Sequence, residues 1–283
     1  MNMEINSIGV CGAGTMGSGI AQAAAQAGFH TILFDLNEAV LEKARLLLQQ
    51  NLQSLVQKGK MSADESAAVL NRIHFTSDLQ VCLADLFIEA IVEKPELKIA
   101  LFNQLAELNH SEVVFASNTS SLSVTSIAQQ VQCPERVIGM HFFNPATIMK
   151  LVEVVNTPFT NSATTETVVQ LAKAMGKTPV LCKDAPGFIV NRVARPYYIE
   201  SLRLAEEGND IGQTDRIMEA TGFRMGPFRL MDLIGNDVNY AVSCLVYEQL
   251  GFPERLKPSF IQEQKVKEGK LGRKSGEGYY DYS

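Results

Sequence analysis

Cysteine, excess positive charge and long apolar runs are all scarce in this chain of 283 residues, and each shortage removes a class of protein. Five cysteines, Cys11, Cys82, Cys133, Cys182 and Cys244, are scattered without paired spacing. That argues against a disulfide framework and suits reduced thiols in the cytoplasm; none reads as a nucleophile or a metal ligand. A formal charge of −6 argues against a nucleic-acid footprint. No apolar run is long enough to cross a bilayer, so no membrane span is expected. The first residues carry Glu4 and pass directly into an apolar strand, without the basic or arginine-rich pattern of a targeting peptide. Histidine is rare as well, with four in all, so the search for a proton-transfer group is short. What is present is a 46% apolar chain, larger than a single core usually grows, and two domains are the natural expectation.

The most informative stretch is the first 35 residues. An apolar strand, Ile8 to Cys11, runs into Gly12-Ala13-Gly14-Thr15-Met16-Gly17. Next comes a small-residue helix with apolar positions Met16, Ile20, Ala23, Ala24 and Ala27, and a stop at Gly28. Glycines in such a turn let the chain reverse, let a pyrophosphate approach bare backbone and let the helix pack on the strand, while the helix's free amides face the phosphates. A second strand, Thr31 to Phe34, ends at Asp35, whose carboxylate can accept hydrogen bonds from both ribose hydroxyls of an adenosine. A 2'-phosphate would meet negative charge there, and Leu36, Asn37 and Glu38 offer no cation, which favours NAD over NADP. Glycine-rich turns also occur without ligands; here the strand, helix, second strand and acid in order carry the reading.

Strand and helix patterns alternate through the first two thirds, which predicts an α/β, Rossmann-type, mostly parallel sheet covered by helices. A long helix is expected over Glu38 to Lys58, with Val40, Leu41, Ala44, Leu47, Leu48, Leu52 and Leu55 as its buried stripe. Further strands are expected at Leu86 to Val92, Val113 to Ala116, Val137 to Met140 and Leu151 to Val155, the last two flanking a loop with Asn144-Pro145. The break Lys183-Asp184-Ala185-Pro186-Gly187 then introduces an almost wholly helical pattern. It divides the chain into a nucleotide-binding domain, 1–183, and an all-helical domain, 184–283. Ile189, Val193, Tyr197 and Leu202 mark one face of a helix that Pro196 should bend. Further helices are expected around Thr214 to Thr221, Val238 to Leu250 and Phe260 to Lys267. So small a helical domain has little core of its own, and pairing with a second copy would bury its apolar faces.

A bound hydride acceptor needs a partner that takes a proton from the substrate alcohol, a task that suits histidine. His30, His74 and His110 stand where surface or capping residues stand. His141 ends a strand at the sheet edge where open α/β folds place ligands. Glu153 lies in the neighbouring apolar strand Leu151-Val152-Glu153-Val154-Val155, where an acid needs a reason to be. Paired side by side, the carboxylate would fix the imidazole tautomer and leave the far nitrogen for a hydroxyl. The alternative for His141 is a satisfied core histidine. Ser117-Asn118-Thr119-Ser120-Ser121 should also reach the carboxyl edge, either donating to a substrate oxygen or capping a helix before Val124. A serine hydrolase built on Ser120 and His141 lacks a nucleophile elbow.

These stretches, together with Ile88-Glu89-Ala90-Ile91-Val92-Glu93, His141-Phe142-Phe143-Asn144-Pro145, the run from Lys183 to Arg192 and Gly272-Arg273-Lys274-Ser275-Gly276-Glu277-Gly278-Tyr279-Tyr280, make the chain resemble the L-3-hydroxyacyl-CoA dehydrogenases. The resemblance extends over nearly the whole length and is close to the stand-alone bacterial 3-hydroxybutyryl-CoA dehydrogenases. It implies NAD-dependent, reversible oxidation of an (S)-3-hydroxyacyl-CoA to the 3-oxoacyl-CoA, with no metal. It also implies that His141 accepts the proton and Glu153 orients it, that Ser120 and Asn191 hold the reacting substrate oxygen, and that the site is an interdomain cleft. By the same resemblance Glu93, Lys98, Asn118, Ser120, Asn144 and Lys274 join residues 12–17 and Asp35 as NAD contacts, while Asn51 and Lys58 contact coenzyme A and homodimers form through the helical domain. Lys58 could instead complement a helix dipole. Two rivals remain open: a short hydroxyacid dehydrogenase, which would not explain His141 with Glu153, and a structural protein that binds a dinucleotide without chemistry.

Overall fold

A computed structural model describes residues 5–283; Glu4 and the three residues before it lie outside the described part. The chain divides into two compact units, Met1–Asp184 and Ala185–Ser283, one residue beyond the expected 183/184 division.

In the first unit, short runs rich in β-branched residues alternate with amphipathic stretches, and they form in order β1 (Ser7–Cys11), α1 (Thr15–Gln26), β2 (His30–Phe34), α2 (Glu38–Gln57), α3 (Ala63–Asn71), β3 (Ile73–Thr76), β4 (Leu86–Glu89), α4 (Pro95–Leu108), β5 (Val114–Ser117), α5 (Val124–Ala128), β6 (Val137–Phe142), β7 (Leu151–Asn156), α6 (Ser162–Ala174) and β8 (Thr178–Lys183). Helix starts are written locally. The Asn37 side chain accepts from the Ala39 amide at the head of α2, Ser62 and Glu65 form a capping box on α3, and Pro95 opens α4.

The strands form one eight-stranded sheet in the order β3-β2-β1-β4-β5-β6-β7-β8. Every neighbouring pair is parallel except β6 and β7. The first six strands in this row have the doubly wound order, whose ligands bind beyond the carboxyl ends of the strands. Both faces are covered: Leu86 and Ile88 join one apolar cluster, while Phe87 and Phe115 stack on the other with ring centroids 6.3 Å apart.

Several expectations need correction. Residues 90–92 leave the sheet after Glu89 rather than extending β4, and β5 and β6 each finish beyond the expected Ala116 and Met140. On α2, Leu41, Ala44, Leu48 and Leu52 are buried but Leu47 is exposed, because the buried stripe is narrower than the apolar one. The edge strand β8 was not expected; Pro179 is tolerated there because an edge strand leaves one row of amides unpaired.

The second unit consists of α7 (Val190–Glu206), α8 (Ile211–Ala220), α9 (Pro227–Ile234), α10 (Asn236–Gln249) and α11 (Phe260–Lys267), with short turns between. Helix α7 continues through Pro196. Its buried positions are Arg195, Tyr198, Ile199, Ser201 and Leu202, whereas Val193 and Ile189 from the expected apolar face are exposed. Two small apolar clusters, one around Tyr198, Leu202, Phe228 and Met231 and one around Ile199, Val246 and Leu256, make up its core. Buried polar residues complete the packing. Asp232 accepts from the amides of Tyr279 and Tyr280 at 3.0 Å, from Asn236 Nδ2 at 2.9 Å and from the Tyr282 hydroxyl at 3.1 Å. Asp215 accepts from the Phe228 amide and the Tyr280 hydroxyl, so two carboxylates hold the C-terminal tyrosines. Among the described residues no helix is long and apolar enough to cross a membrane.

Candidate active site

The turn after β1 has the shape the glycines require. Gly12 has φ +101°, a region that penalises any Cβ, and a side chain there would meet the Ala90 carbonyl at 2.5 Å. A Cβ at Gly17 would run into the Gly12 carbonyl oxygen, so the helix can approach the strand only without one. At Gly14 a Cβ would meet no atom within 4 Å; the space in front of the turn is open. Gly14 is also the N-cap of α1 and brings no side chain to compete for the first-turn amides.

Asp35, at the end of β2, is tied to this turn. One carboxylate oxygen accepts from the Ala13 amide at 2.8 Å and the other from the Asn37 amide at 2.9 Å. Beside it lies a cavity of about 530 Å³ whose lining includes Gly12, Gly14, Asp35, Leu36, Ile91 and Val92. Apolar walls with one carboxylate and bare backbone at the rim fit the adenosine and pyrophosphate of a dinucleotide.

At the carboxyl end of β6 the antiparallel register sets His141 directly opposite Glu153. The imidazole Nδ1 lies 2.7 Å from a Glu153 carboxylate oxygen, with both side chains buried. Glu153 sits between Val152 and Val154, and the imidazole bond gives its carboxylate the partner that burial demands. The imidazole ring also packs against Phe143 at 4.6 Å between centroids. A histidine held on Nδ1 by a carboxylate is suited to exchange a proton through Nε2.

A second cluster joins the ends of β4 and β5. Lys98, on α4, is 1% exposed and its ammonium contacts Glu89 at 2.6 Å and Glu93 at 2.8 Å. Glu89 also accepts from the Ile91 amide at 2.7 Å and the Ser117 hydroxyl at 2.7 Å. Glu93 accepts from the Thr119 hydroxyl, the Ser121 hydroxyl at 3.0 Å and the Ser120 amide at 3.3 Å. Burial raises the Glu89 carboxyl above its usual range despite the Lys98 ammonium and the Ser117 and Ile91 bonds. At Glu93 burial acts in the same direction, but the Lys98 ammonium and the hydroxyl bonds outweigh it and hold the carboxyl low. The sequence placed Ser117 and Thr119 in a stretch that donates to a substrate oxygen or caps a helix, and Glu89 in a family motif; the structure bonds the two hydroxyls to the Glu89 and Glu93 carboxylates. The available signal was Glu89 itself, an acid ending the apolar strand Leu-Phe-Ile-Glu, the same anomaly that marked Glu153.

Asn118 joins these groups to β6, its side-chain oxygen accepting from the Phe142 amide at 2.8 Å. Asn144 is exposed in the following loop, where the Asn144–Pro145 peptide is cis, and Lys177 fixes that loop by donating to the Ala146 and Met149 carbonyls. Asn51 and Lys58 lie apart from the strand ends: Asn51 makes a long 3.4 Å contact to Gln22, and Lys58 is the exposed C-cap of α2. In the second unit, Asn191 is in the first turn of α7, with its carbonyl accepting from Arg195. Lys274 forms a bidentate pair with Asp237 at 2.6 and 2.7 Å. His30 and His74 are exposed, and His110 accepts from the Glu112 amide near Asp85.

Comparison with known proteins gives this geometry a lineage. The NAD-binding domain of 3-hydroxyacyl-CoA dehydrogenase matches residues 7–185, and the C-terminal domain of the same family matches residues 187–282. The chain belongs to the 3-hydroxyacyl-CoA dehydrogenase family. Among relatives, it is 44% identical to "3-hydroxyadipyl-CoA dehydrogenase" of Escherichia coli, covering 100% of this chain but 60% of that protein. It is 42% identical to "Probable 3-hydroxybutyryl-CoA dehydrogenase" of Deinococcus radiodurans, covering 97% and 99% of the two chains. A solved (S)-3-hydroxybutyryl-CoA dehydrogenase from Ralstonia eutropha superposes with a TM-score of 0.94 at 35% identity, covering 99% of this chain and 100% of that one. As a 3-hydroxyacyl-CoA dehydrogenase family member the chain is an NAD oxidoreductase, and that membership removes both rivals, the purely structural nucleotide binder and the short hydroxyacid dehydrogenase.

Proposed function

We propose that this chain interconverts (S)-3-hydroxybutyryl-CoA, or a closely related (S)-3-hydroxyacyl-CoA, and the corresponding 3-oxoacyl-CoA. The bound NAD supplies hydride acceptance at the substrate's C3. His141 takes the hydroxyl proton in the oxidative direction and returns it in the other. Glu153 keeps Nδ1 bonded and stabilises the imidazolium. The buried 2.7 Å contact between the two is the single observation that most supports this division of labour. Ser120 and Asn191 orient the substrate oxygen, and Asn51 and Lys58 meet the coenzyme A portion. Around the dinucleotide, residues 12–17 hold the pyrophosphate and Asp35 the adenosine ribose, while Glu93, Asn118, Asn144 and Lys274 serve the nicotinamide side.

The test is acetoacetyl-CoA reduction followed by loss of NADH absorbance. Rapid turnover with NADH, and slow turnover with NADPH, is expected. A protein that binds NADH yet leaves acetoacetyl-CoA untouched would overturn the proposal.

The chain acts as a homodimer joined through its helical unit, in the cytoplasm. Exposed Val193, Phe223, Phe252 and Phe260 in that unit support the pairing, and five free cysteines support the compartment. Light scattering that returns a monomer mass at micromolar concentration would remove the dimer.

A further inference from the structure

We infer that Glu89 is a positioning residue of the cofactor site: by holding Lys98 from behind, it fixes Glu93 and the Thr119–Ser121 turn that Glu93 carries. This inference rests on the proposed function for the roles of Glu93 and Ser120, and it changes the role of Lys98 from ligand to support. Glu89 is fully buried and accepts three bonds from three separate segments: the loop after β4, helix α4 and the end of β5. Lys98 is equally buried, whereas the Glu93 side chain is 39% exposed. The ammonium therefore lies behind, and the carboxylate of Glu93 is the group that reaches the surface.

The bonds close a ring. Ser117 leads to Glu89, Glu89 to Lys98, Lys98 to Glu93, and Glu93 back to Thr119, Ser120 and Ser121, two to four residues beyond the start. A closed network of charged bonds in a low-dielectric setting is stiff, and losing one member loosens the others. One ammonium between two carboxylates is shared. Without Glu89, Lys98 would have Glu93 alone and would be drawn toward the open side, where it would compete for the oxygen that now holds the turn.

The experiment is a double-mutant cycle on the full chain, using Glu89→Gln, Glu93→Gln and the pair. Equilibrium NADH binding is read from the cofactor's own emission, with kcat and KM for NADH and acetoacetyl-CoA measured alongside. The chain has no tryptophan to contribute protein emission. Glu89→Gln should raise the NADH dissociation constant and KM about tenfold, a usual size for residues that hold a contact group in place. In the Glu93→Gln background the same change should have less than about a twofold effect, since its route of action is already cut. An unchanged or tighter NADH affinity in Glu89→Gln would overturn the inference, because a released Lys98 would then be acting as a direct ligand. Equal effects in both backgrounds would overturn it too. If Glu89→Gln does not fold, Ser117→Ala, which deletes one bond to Glu89, takes its place in the cycle with the same two outcomes decisive. Wild-type protein that binds NADH but does not reduce acetoacetyl-CoA defeats the proposed reaction while leaving the binding cycle to decide on Glu89.

Discussion

Buried polar groups are used differently in the two units. In the sheet unit, Glu89, Ser117, Thr119 and His141 gather at or just beyond strand carboxyl ends, while the sheet interior around Ile8, Val10, Leu33, Ile88 and Ile138 is apolar. In the helical unit, Arg195, Asp215, Asp232, Asn236, Asn239 and Gln262 are buried among the helices, beside apolar clusters of only a few residues. Where the apolar core is large, a buried charge can be reserved for chemistry. Where it is small, hydrogen-bonded carboxylates carry part of the packing.

Substitutions at the two kinds of site should therefore fail in different ways. The largest effect is expected for His141→Gln: a fold and NADH affinity like the wild type, with kcat about 100- to 10,000-fold lower, or about 3 to 5.5 kcal/mol of barrier. A variant that unfolds instead would move His141 into the structural class. Asp232→Ala should do the reverse. Four donors lose their acceptor, which costs about 3 kcal/mol and lowers Tm by about 10 °C, and an unchanged melting curve would erase the contrast between the units. Asp35→Ala should narrow the preference for NADH over NADPH by about tenfold, read as the ratio of kcat/KM values.

The smallest effect is a pH dependence at the amino end of β1. Asp85 accepts from the Asn6 and Ser7 amides and the Ser7 hydroxyl. Burial pushes its carboxyl up, but these bonds and nearby His110 outweigh it and hold it below the usual range. The folded pKa is thus below the unfolded value of about 3.9, so the stabilisation is present above that pH and fades as the pH falls through the folded pKa. Asp85→Asn should therefore be less stable than wild type at pH 7 and approach it near pH 2. An equal deficit at both would mean the charge contributes nothing.

Legibility in the sequence follows the same division. The turn at residues 12–17, the helix Glu38–Gln57 and the facing strands with His141 and Glu153 were readable because apolar periodicity and misplaced acids are local signals. Strand β8 was not. It contains Pro179 and lies at the sheet edge with four of its six residues exposed, so no alternation was there to find. Residues 90–92 are apolar enough for a strand, but they line the cavity beside Asp35, which only the tertiary fold defines. The Glu89–Lys98–Glu93 group lies within ten consecutive residues, but its closure onto Ser117 and the Thr119–Ser121 turn exists only once β5 pairs with β4. On α7, the sequence favoured the Val193 face, yet the unit buries Arg195 and Tyr198, whose guanidinium and ring lie 5.0 Å apart.

The reversal of β7 has a consequence for how this scaffold can change. Residues 141 and 153 are matched by the ladder between two strands, so their meeting does not depend on the length of the chain that connects them. The connecting segment 143–150 is held separately, by Lys177 on the Ala146 and Met149 carbonyls, while the ladder alone fixes which residues of the two strands face each other. A single-residue insertion inside either strand would shift that register and part the imidazole from its carboxylate, so it should silence the enzyme.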